Sequence, residues 1–177
     1  MKKLILILTL PLLLAACQSN SYYKAMNTNE QRFDGWQEEN AVWLNETHDL
    51  ALLVSDLSGM AQKKANLKET YLLAEKVQEM IEETETDYKI ESTILRVKLA
   101  SSLSDKSDTK LHKLEDISEE NFDAVYLRYV RTSLEEMKDK SAKYNKEGHN
   151  KRLRDFADQL ENTVDNILEE LDGAKIS

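Results

Sequence analysis

The sequence predicts an all-α fold, a bundle of four amphipathic helices, and three features of the chain indicate it. The single proline, Pro11, lies near the start, and the chain has only four glycines. Beyond residue 34, apolar residues recur about every 3.6 positions in four long stretches, which is typical of helices that bury one face. Polar segments separate these stretches, so we expect the chain to reverse direction and form a bundle. One long coiled-coil rod is the alternative.

The first two helices are predicted between residues 35 and 99. The first runs from about Gly35 to Lys63, and its core face carries apolar side chains at every seventh position, namely Trp36, Trp43, Leu50 and Leu57. The second begins after Asn66, which forms a capping-box-like pair with Glu69, and it extends towards Leu95 or Leu99. Because residues 82–87 are polar on every side, the sequence is compatible both with a continuous second helix and with one that is kinked or broken there.

The other helices are predicted after a turn-rich connection at residues 101–108. A short fifth helix is expected to carry Leu111, Leu114 and Ile117. Ser118 is predicted to cap the next long helix, and Asn150 the last one. The core residues of the last helix are predicted to be Leu153, Phe156, Ala157, Leu160, Val164, Ile167, Leu168 and Leu171.

The start of the chain has the features of an export signal. Lys2 and Lys3 precede an apolar stretch over residues 4–14, and small residues follow it in Leu14-Ala15-Ala16-Cys17. Such a stretch is too short to span a hydrocarbon core of ~30 Å. We therefore expect residues 1–16 to be a signal peptide that is removed.

Cys17 is the only cysteine, and its setting resembles the bacterial lipobox. This resemblance implies that the Cys17 thiol carries diacylglycerol. It also implies that the chain is cut before Cys17 and that the amino group freed by the cut takes a further fatty acid such as palmitate. The membrane would then be a partner of the protein through this lipid anchor. The alternative is a secreted protein in which the cysteine is incidental. The lipoprotein resemblance also implies a location: since Gln18 rather than Asp follows the cysteine, it implies the periplasmic face of the outer membrane, or the outer surface of the cell membrane in a host without an outer membrane.

The rest of the chain is predicted to form two parts. Residues 17–33 are polar and have no apolar period, so we expect a lipidated flexible tether. Residues 34–177 are expected to form one helical bundle domain. The chain has a formal net charge of −9, and this acidity argues against nucleic acid as a partner because like charges repel.

Several short segments are similar to those of a known family. Phe122-Asp123-Ala124-Val125-Tyr126-Leu127 is similar to its FDxxYL motif, Leu153-Arg154-Asp155-Phe156-Ala157 to its LxxFA turn, and Leu73-Ala74 to its FA pair. On these segments the chain resembles the bacterial envelope family DUF4142, a domain of unknown function. The resemblance implies a ferritin-like bundle.

The chain departs from this family at two positions. Where family members commonly have histidines, it has Ile81 and Leu134, both on predicted core faces. The resemblance therefore implies that metal or proton chemistry carried by those histidines is lost. The histidines present, His48, His112 and His149, also lack the Glu-x-x-His spacing that di-iron bundles use. We expect His48 and His149 to be solvated, and no catalytic residue, cofactor or metal ligand is predicted.

One segment has calcium-loop spacing. Asp105, Ser107, Thr109 and Asp116 occupy positions one, three, five and twelve of an EF-hand-like loop, but Lys110 stands where that loop needs glycine. A plain helix-capping connection is the favoured interpretation.

Three functional hypotheses follow. The first is a non-catalytic binding or scaffolding module that is anchored in the envelope and holds another protein. The second is a metal-binding or stress-related ferritin-like bundle, which the family resemblance implies. The third is an inhibitor or immunity-type lipoprotein that captures a basic toxin or lysozyme.

Overall fold

The computed structural model describes residues 21–173, and within that range the chain forms six helices and no strand. The all-α prediction is confirmed. The predicted signal peptide and Cys17 lie outside the described residues. The helices are α1 (Ser21–Glu30), α2 (Gly35–Lys64), α3 (Lys68–Leu95), α4 (Asp105–Glu115), α5 (Glu119–Glu147) and α6 (Lys151–Gly173).

The four long helices α2, α3, α5 and α6 form a bundle in which α2 and α6 are diagonally opposite. Helix α2 packs against α3 and α5, and α6 packs against the same two helices. Residues 65–67 join α2 to α3, and residues 148–150 join α5 to α6, so each of these pairs is an antiparallel hairpin. The two hairpins are linked by a long crossover, residues 96–118, that contains α4.

The crossover returns the chain to the end of the bundle where α3 begins. Near the end of the crossover, the Lys64 ammonium group donates to the Glu115 carbonyl oxygen at 2.9 Å. We call the end of the bundle where α3 begins the upper end; it comprises residues 64–68 and 115–123. The opposite end, residues 35–43 and 144–152, is the lower end. One long crossover is also the connection of ferritin-like bundles, but kinship with ferritins stays a prediction.

The core follows the apolar period of the four long helices. The predicted stripe of α6 is the clearest case, since every member is buried or partly buried against the core. The largest completely buried side chains are Tyr88, Tyr126, Phe122, Leu44, Leu53, Leu57, Leu114, Leu134, Met137, Leu153, Leu160 and Ile167.

Helix α3 is continuous through its polar middle, so the alternative of a break at residues 82–87 is wrong. Thr84 and Tyr88 are buried there, and the Thr84 hydroxyl donates to the Ile81 carbonyl oxygen at 2.7 Å. Packing against α2 supports this stretch although its sequence lacks an apolar period. The helix ends at Arg96, which adopts a left-handed conformation with φ of 58°.

The helix caps agree only partly with the sequence predictions. Asn150 does cap α6, because its side-chain oxygen accepts from the Leu153 amide at 3.2 Å. Ser118 stands at the N-cap of α5, but its hydroxyl accepts from the Asn121 side chain instead of a backbone amide. The capping box predicted at Asn66 is wrong, because the N-cap residue of α3 is Leu67 and a side chain of α5 supplies the cap.

The prediction of a flexible tether over residues 17–33 is wrong for Ser21–Glu30, which form α1. Ala25 is buried, and the Asn29 side chain bonds both the amide and the carbonyl of Lys98 at 2.8 Å. These contacts with the crossover hold a segment whose own sequence has no apolar period.

Trp36 is a second correction. It was predicted to lie in the core, but it is 49% exposed, whereas Trp43 is 5% exposed. Trp36 lies in the first turn of α2, at the lower end of the bundle, so the apolar stripe of α2 becomes a buried stripe only beyond that turn.

Candidate functional site

His48 is buried, contrary to the prediction that it is solvated. It is 3% exposed, and its Nε2 lies 2.8 Å from the Glu85 Oε2 of α3. A histidine can be buried at low cost when a carboxylate satisfies it. Neighbouring residues in the sequence could not reveal this partner, because Glu85 lies on the other helix of the hairpin.

The two oxygens of Glu85 have different partners. Oε2 contacts His48, and Oε1 lies 3.1 Å from the Lys89 ammonium group. Burial by itself raises the pKa of this carboxyl, but hydrogen bonds and favourable charge interactions with His48 and Lys89 outweigh burial, so the pKa of Glu85 is lowered from 4.5. Both carboxylate oxygens are thus already engaged.

An aromatic row extends from His48 across the lower half of the bundle. The Tyr88 ring centroid lies 5.0 Å from both the His48 and the Phe156 rings. Phe156 meets Trp43 edge to face at 5.7 Å, and Trp43 stacks on Tyr144 at 4.6 Å. Because the row joins residues of α2, α3, α5 and α6, it fixes the four helices against one another.

Two nitrogens in this row have no hydrogen-bond partner among the described residues, Trp43 Nε1 and His48 Nδ1. Burial also raises the pKa of Tyr88 above its ordinary value of 10.0, and the Thr47 hydroxyl offsets only part of that rise. Tyr88 is therefore neutral at physiological pH.

A groove of about 400 Å³ lies between α2 and α3, next to Glu85. Its lining residues are Ala51, Leu52, Ser55, Ile81, Glu82 and Glu85. The Ser55 hydroxyl donates to Glu82 at 3.2 Å, and Glu82 also accepts from Gln78 at 2.6 Å. Glu82 therefore bonds Ser55 and Gln78, and Glu85 bonds His48 and Lys89.

The other histidines lie elsewhere and are exposed. His112 Nδ1 is 2.9 Å from the Asp108 carbonyl oxygen within α4. His149 lies in the connection between α5 and α6, as expected, 3.6 Å from a Glu39 oxygen. Over residues 21–173, no group of three or more His, Cys, Asp or Glu side chains is placed to hold a metal ion.

The segment with calcium-loop spacing is helix α4 itself, so the predicted turn-rich connection at residues 101–108 ends at Ser104, which caps the helix. Asp105 begins α4, and Thr109 lies within it. The Ser107 hydroxyl is buried and donates to Asp49 of α2 at 2.6 Å. Asp49 also accepts from the Ser104 amide and hydroxyl at 2.6 and 2.7 Å. These oxygens fasten α4 to α2.

The FDxxYL segment has a structural role that the sequence did not reveal. Phe122 is buried in the core, and the Asp123 carboxylate accepts from the backbone amides of Asn66 at 3.1 Å and Leu67 at 2.9 Å. Tyr126 is buried with its hydroxyl 3.1 Å from that of Ser58. The segment therefore joins α5 to both helices of the first hairpin.

The other matched segments are core residues too. Leu153, Phe156 and Ala157 of the LxxFA turn and the Leu73-Ala74 pair are all buried. Ile81 and Leu134, which replace the histidines common in the family, are also buried. The prediction that both lie on core faces is confirmed.

A second groove, of about 590 Å³, lies at the upper end of the bundle. It is lined by Asn66, Leu67, Glu120, Asp123, Ala124 and Leu127. Three large apolar side chains are exposed at this end of α3, namely Leu67 (36%), Tyr71 (39%) and Leu72 (49%). Leu67 and Tyr71 are one helical turn apart and share a face of α3, whereas Leu72 lies about 140° around the helix from Leu67. We call Leu67 and Tyr71 the upper patch. No pattern in the sequence indicates the patch, because the exposure of these side chains depends on how α3 packs in the bundle.

None of the described helices combines the length and the apolar composition that crossing a membrane requires.

Comparisons with known proteins identify the family and give nothing closer. Neither the curated proteins nor the solved structures contain a match to the chain. A family model does match residues 27–173, which is most of the chain. The chain belongs to the family described as Domain of unknown function (DUF4142).

Proposed function

We propose that the protein is a lipid-anchored envelope protein whose helical bundle binds another protein without catalysing a reaction. The observation that carries the binding role is the upper groove with the upper patch beside it. Exposed apolar side chains that occur singly need no explanation, but a cluster beside a groove is typical of a protein-binding surface. Leu67 belongs to both the groove and the patch.

The charge of the surface favours one kind of partner. The chain has a net charge of −9, and Glu120 lines the groove and is exposed. A partner that combines apolar side chains with basic ones would fit both the patch and the field around it. This is the partner class that we propose.

The chemistry of the buried site supports a non-catalytic role. His48 is buried and Glu85 is partly exposed, and both oxygens of the Glu85 carboxylate are bonded. An acid–base pair acts on a substrate only if the substrate proton comes within hydrogen-bond reach. In this fold the pair bonds α2 to α3 instead.

The lipid anchor is tested with Cys17. Cys17→Ser should abolish incorporation of labelled fatty acid and move the protein from the membrane fraction to the soluble fraction. Ser19→Ala, two residues away, is the matched control and should leave both readouts unchanged. Retention of Cys17→Ser in the membrane fraction would contradict the anchor.

The binding role is tested with two substitutions of equal charge change. Tyr71→Lys adds a positive charge within the upper patch, and Asn166→Lys adds one on the exposed face of α6. The immobilised mature domain should capture an envelope protein saturably, and Tyr71→Lys should weaken that capture at least tenfold. Equal capture by the two variants would show that the patch is not the binding surface.

A further inference from the structure

Helix α1 is fixed on one side of the bundle at both of its ends. At its start, the Ser21 hydroxyl accepts from the Ser101 backbone amide at 2.8 Å. At its end, Asn29 forms two hydrogen bonds with the Lys98 backbone. Bonds to backbone groups leave little freedom of position, so α1 moves with the crossover and not with a tether.

Further contacts lie between and beyond these two points. The Tyr23 hydroxyl donates to Asp105 at 3.1 Å, and Ala25 is buried. Arg32 donates to the Arg96 carbonyl oxygen at 2.6 Å. The segment that precedes α2 is thus part of the folded body.

This geometry limits how far the body can lie from Cys17. Four peptide units separate Cys17 from Ser21, and a fully extended chain covers at most ~14 Å over that length. Helix α2 has 30 residues and is therefore about 45 Å long. The link is short compared with the body, so the body cannot turn freely about it.

We propose that the side of the bundle that carries α1 lies against the lipid surface that holds Cys17. We call this side the α1 face and define it by the residues Ser21, Tyr23, Lys24, Lys98, Ser101 and Ser102. The inference rests on the lipid anchor of the proposed function. Helix α6, diagonally across the bundle from α2, then faces away from the membrane.

The chemistry of the α1 face suits lipid headgroups. Lys24 and Lys98 are exposed there, although the chain as a whole is acidic. Serines contribute short polar side chains, and Tyr23 is 48% exposed. A lysine keeps its ammonium group at a polar surface while its methylene stem lies along the protein.

Orientation can be measured with the lipidated full-length chain in phosphatidylcholine vesicles. A fluorophore is attached at Lys98→Cys on the α1 face or at Asn166→Cys on α6, and an energy acceptor is placed in the headgroups. Energy transfer should be several-fold stronger from position 98. Equal transfer from vesicle-bound protein would overturn the orientation, whereas protein that fails to float with vesicles would overturn the lipid anchor itself.

A linker insertion tests whether the short link sets the orientation. Twelve glycine and serine residues inserted between Asn20 and Ser21 add roughly 20 Å of average reach and leave α1 and its contacts in place. The difference between positions 98 and 166 should then fall at least twofold. An undiminished difference would contradict the role of the short link.

Discussion

The Asp123 carboxylate accepts a hydrogen bond from the Leu67 backbone amide at 2.9 Å, so a side chain of α5 caps the start of α3. Its other oxygen accepts from the Asn66 amide. A carboxylate at this position also interacts favourably with the positive end of the helix dipole. One residue of the FDxxYL segment thus supplies the cap that the local sequence was expected to supply.

Removing this cap should destabilise the fold. Asp123→Ala leaves two backbone amides without their charged acceptor, and we expect a loss of about 2 kcal/mol in the free energy of unfolding. Urea denaturation followed by circular dichroism would measure it. Asp139→Ala, an exposed position on the same helix, should change stability by less than ~0.5 kcal/mol. Similar losses in both variants would contradict the capping role.

The His48–Glu85 pair should make stability depend on pH in the acidic range. Because the pKa of Glu85 is lower in the fold than its ordinary 4.5, the unfolded chain takes up the proton first as pH falls. The stabilisation is therefore present above about pH 4.5 and is lost as pH falls through the pKa of the folded state. Glu85→Gln should be less stable than the wild type at pH 7, and the gap should narrow below pH 4.

The measurement is a series of denaturation curves between pH 3 and 7. Glu83→Gln, on an exposed position of the same helix, is the matched control, and its curves should parallel those of the wild type. A gap between Glu85→Gln and wild type that stays constant over the whole series would refute the linkage.

Two glycines should respond in opposite directions to alanine. A Cβ at Gly148 would lie 2.6 Å from both Cε1 and the carbonyl oxygen of Tyr144, so Gly148→Ala should cost about 1–3 kcal/mol. At Gly59, inside α2, the nearest atom would be a Gln78 side-chain oxygen at 3.7 Å, and Gly59→Ala should gain about 0.5–1 kcal/mol. Melting temperatures of the two variants would decide the matter, and a stabilised Gly148→Ala would show that the Tyr144 ring is packed differently.

The two tryptophans should be distinguishable in solution. Trp43 lies in the aromatic row, so Trp43→Ala should cost about 3–5 kcal/mol, whereas Trp36→Ala should cost less than ~0.5 kcal/mol. Fluorescence tests the same two exposures with substitutions that keep an aromatic ring. Acrylamide should quench the emission of Trp43→Phe, which retains Trp36, much more strongly than that of Trp36→Phe. The reverse order would contradict the exposures of the two rings.

The sequence predicted the long helices well because burial itself produces the 3.6-residue period. The bounds of α2 agree within one residue at Lys64, and the buried stripe of α6 was predicted completely. Asn150 was predicted as a cap because its donor, the Leu153 amide, is only three residues away. Features that arise within a single helix were therefore accessible.

Features that depend on a partner distant in the chain could not be predicted from the sequence. Helix α1 is stabilised by backbone groups near Lys98, His48 by Glu85, and the start of α3 by Asp123. Each partner lies more than thirty residues away, and no pattern of nearby residues marks the pair. For the same reason no pattern in the sequence indicates the upper groove, which α5 forms together with the start of α3.

The arrangement of two hairpins joined by one crossover has a consequence for how the protein forms. The α2–α3 hairpin emerges from the ribosome first, but its inner side is covered only when α5 and α6 arrive. The apolar stripes of both hairpins contribute to one core, and the aromatic row takes its rings from both. We therefore expect cooperative, all-or-none folding, in which the α2–α3 and α5–α6 hairpins become stable only together.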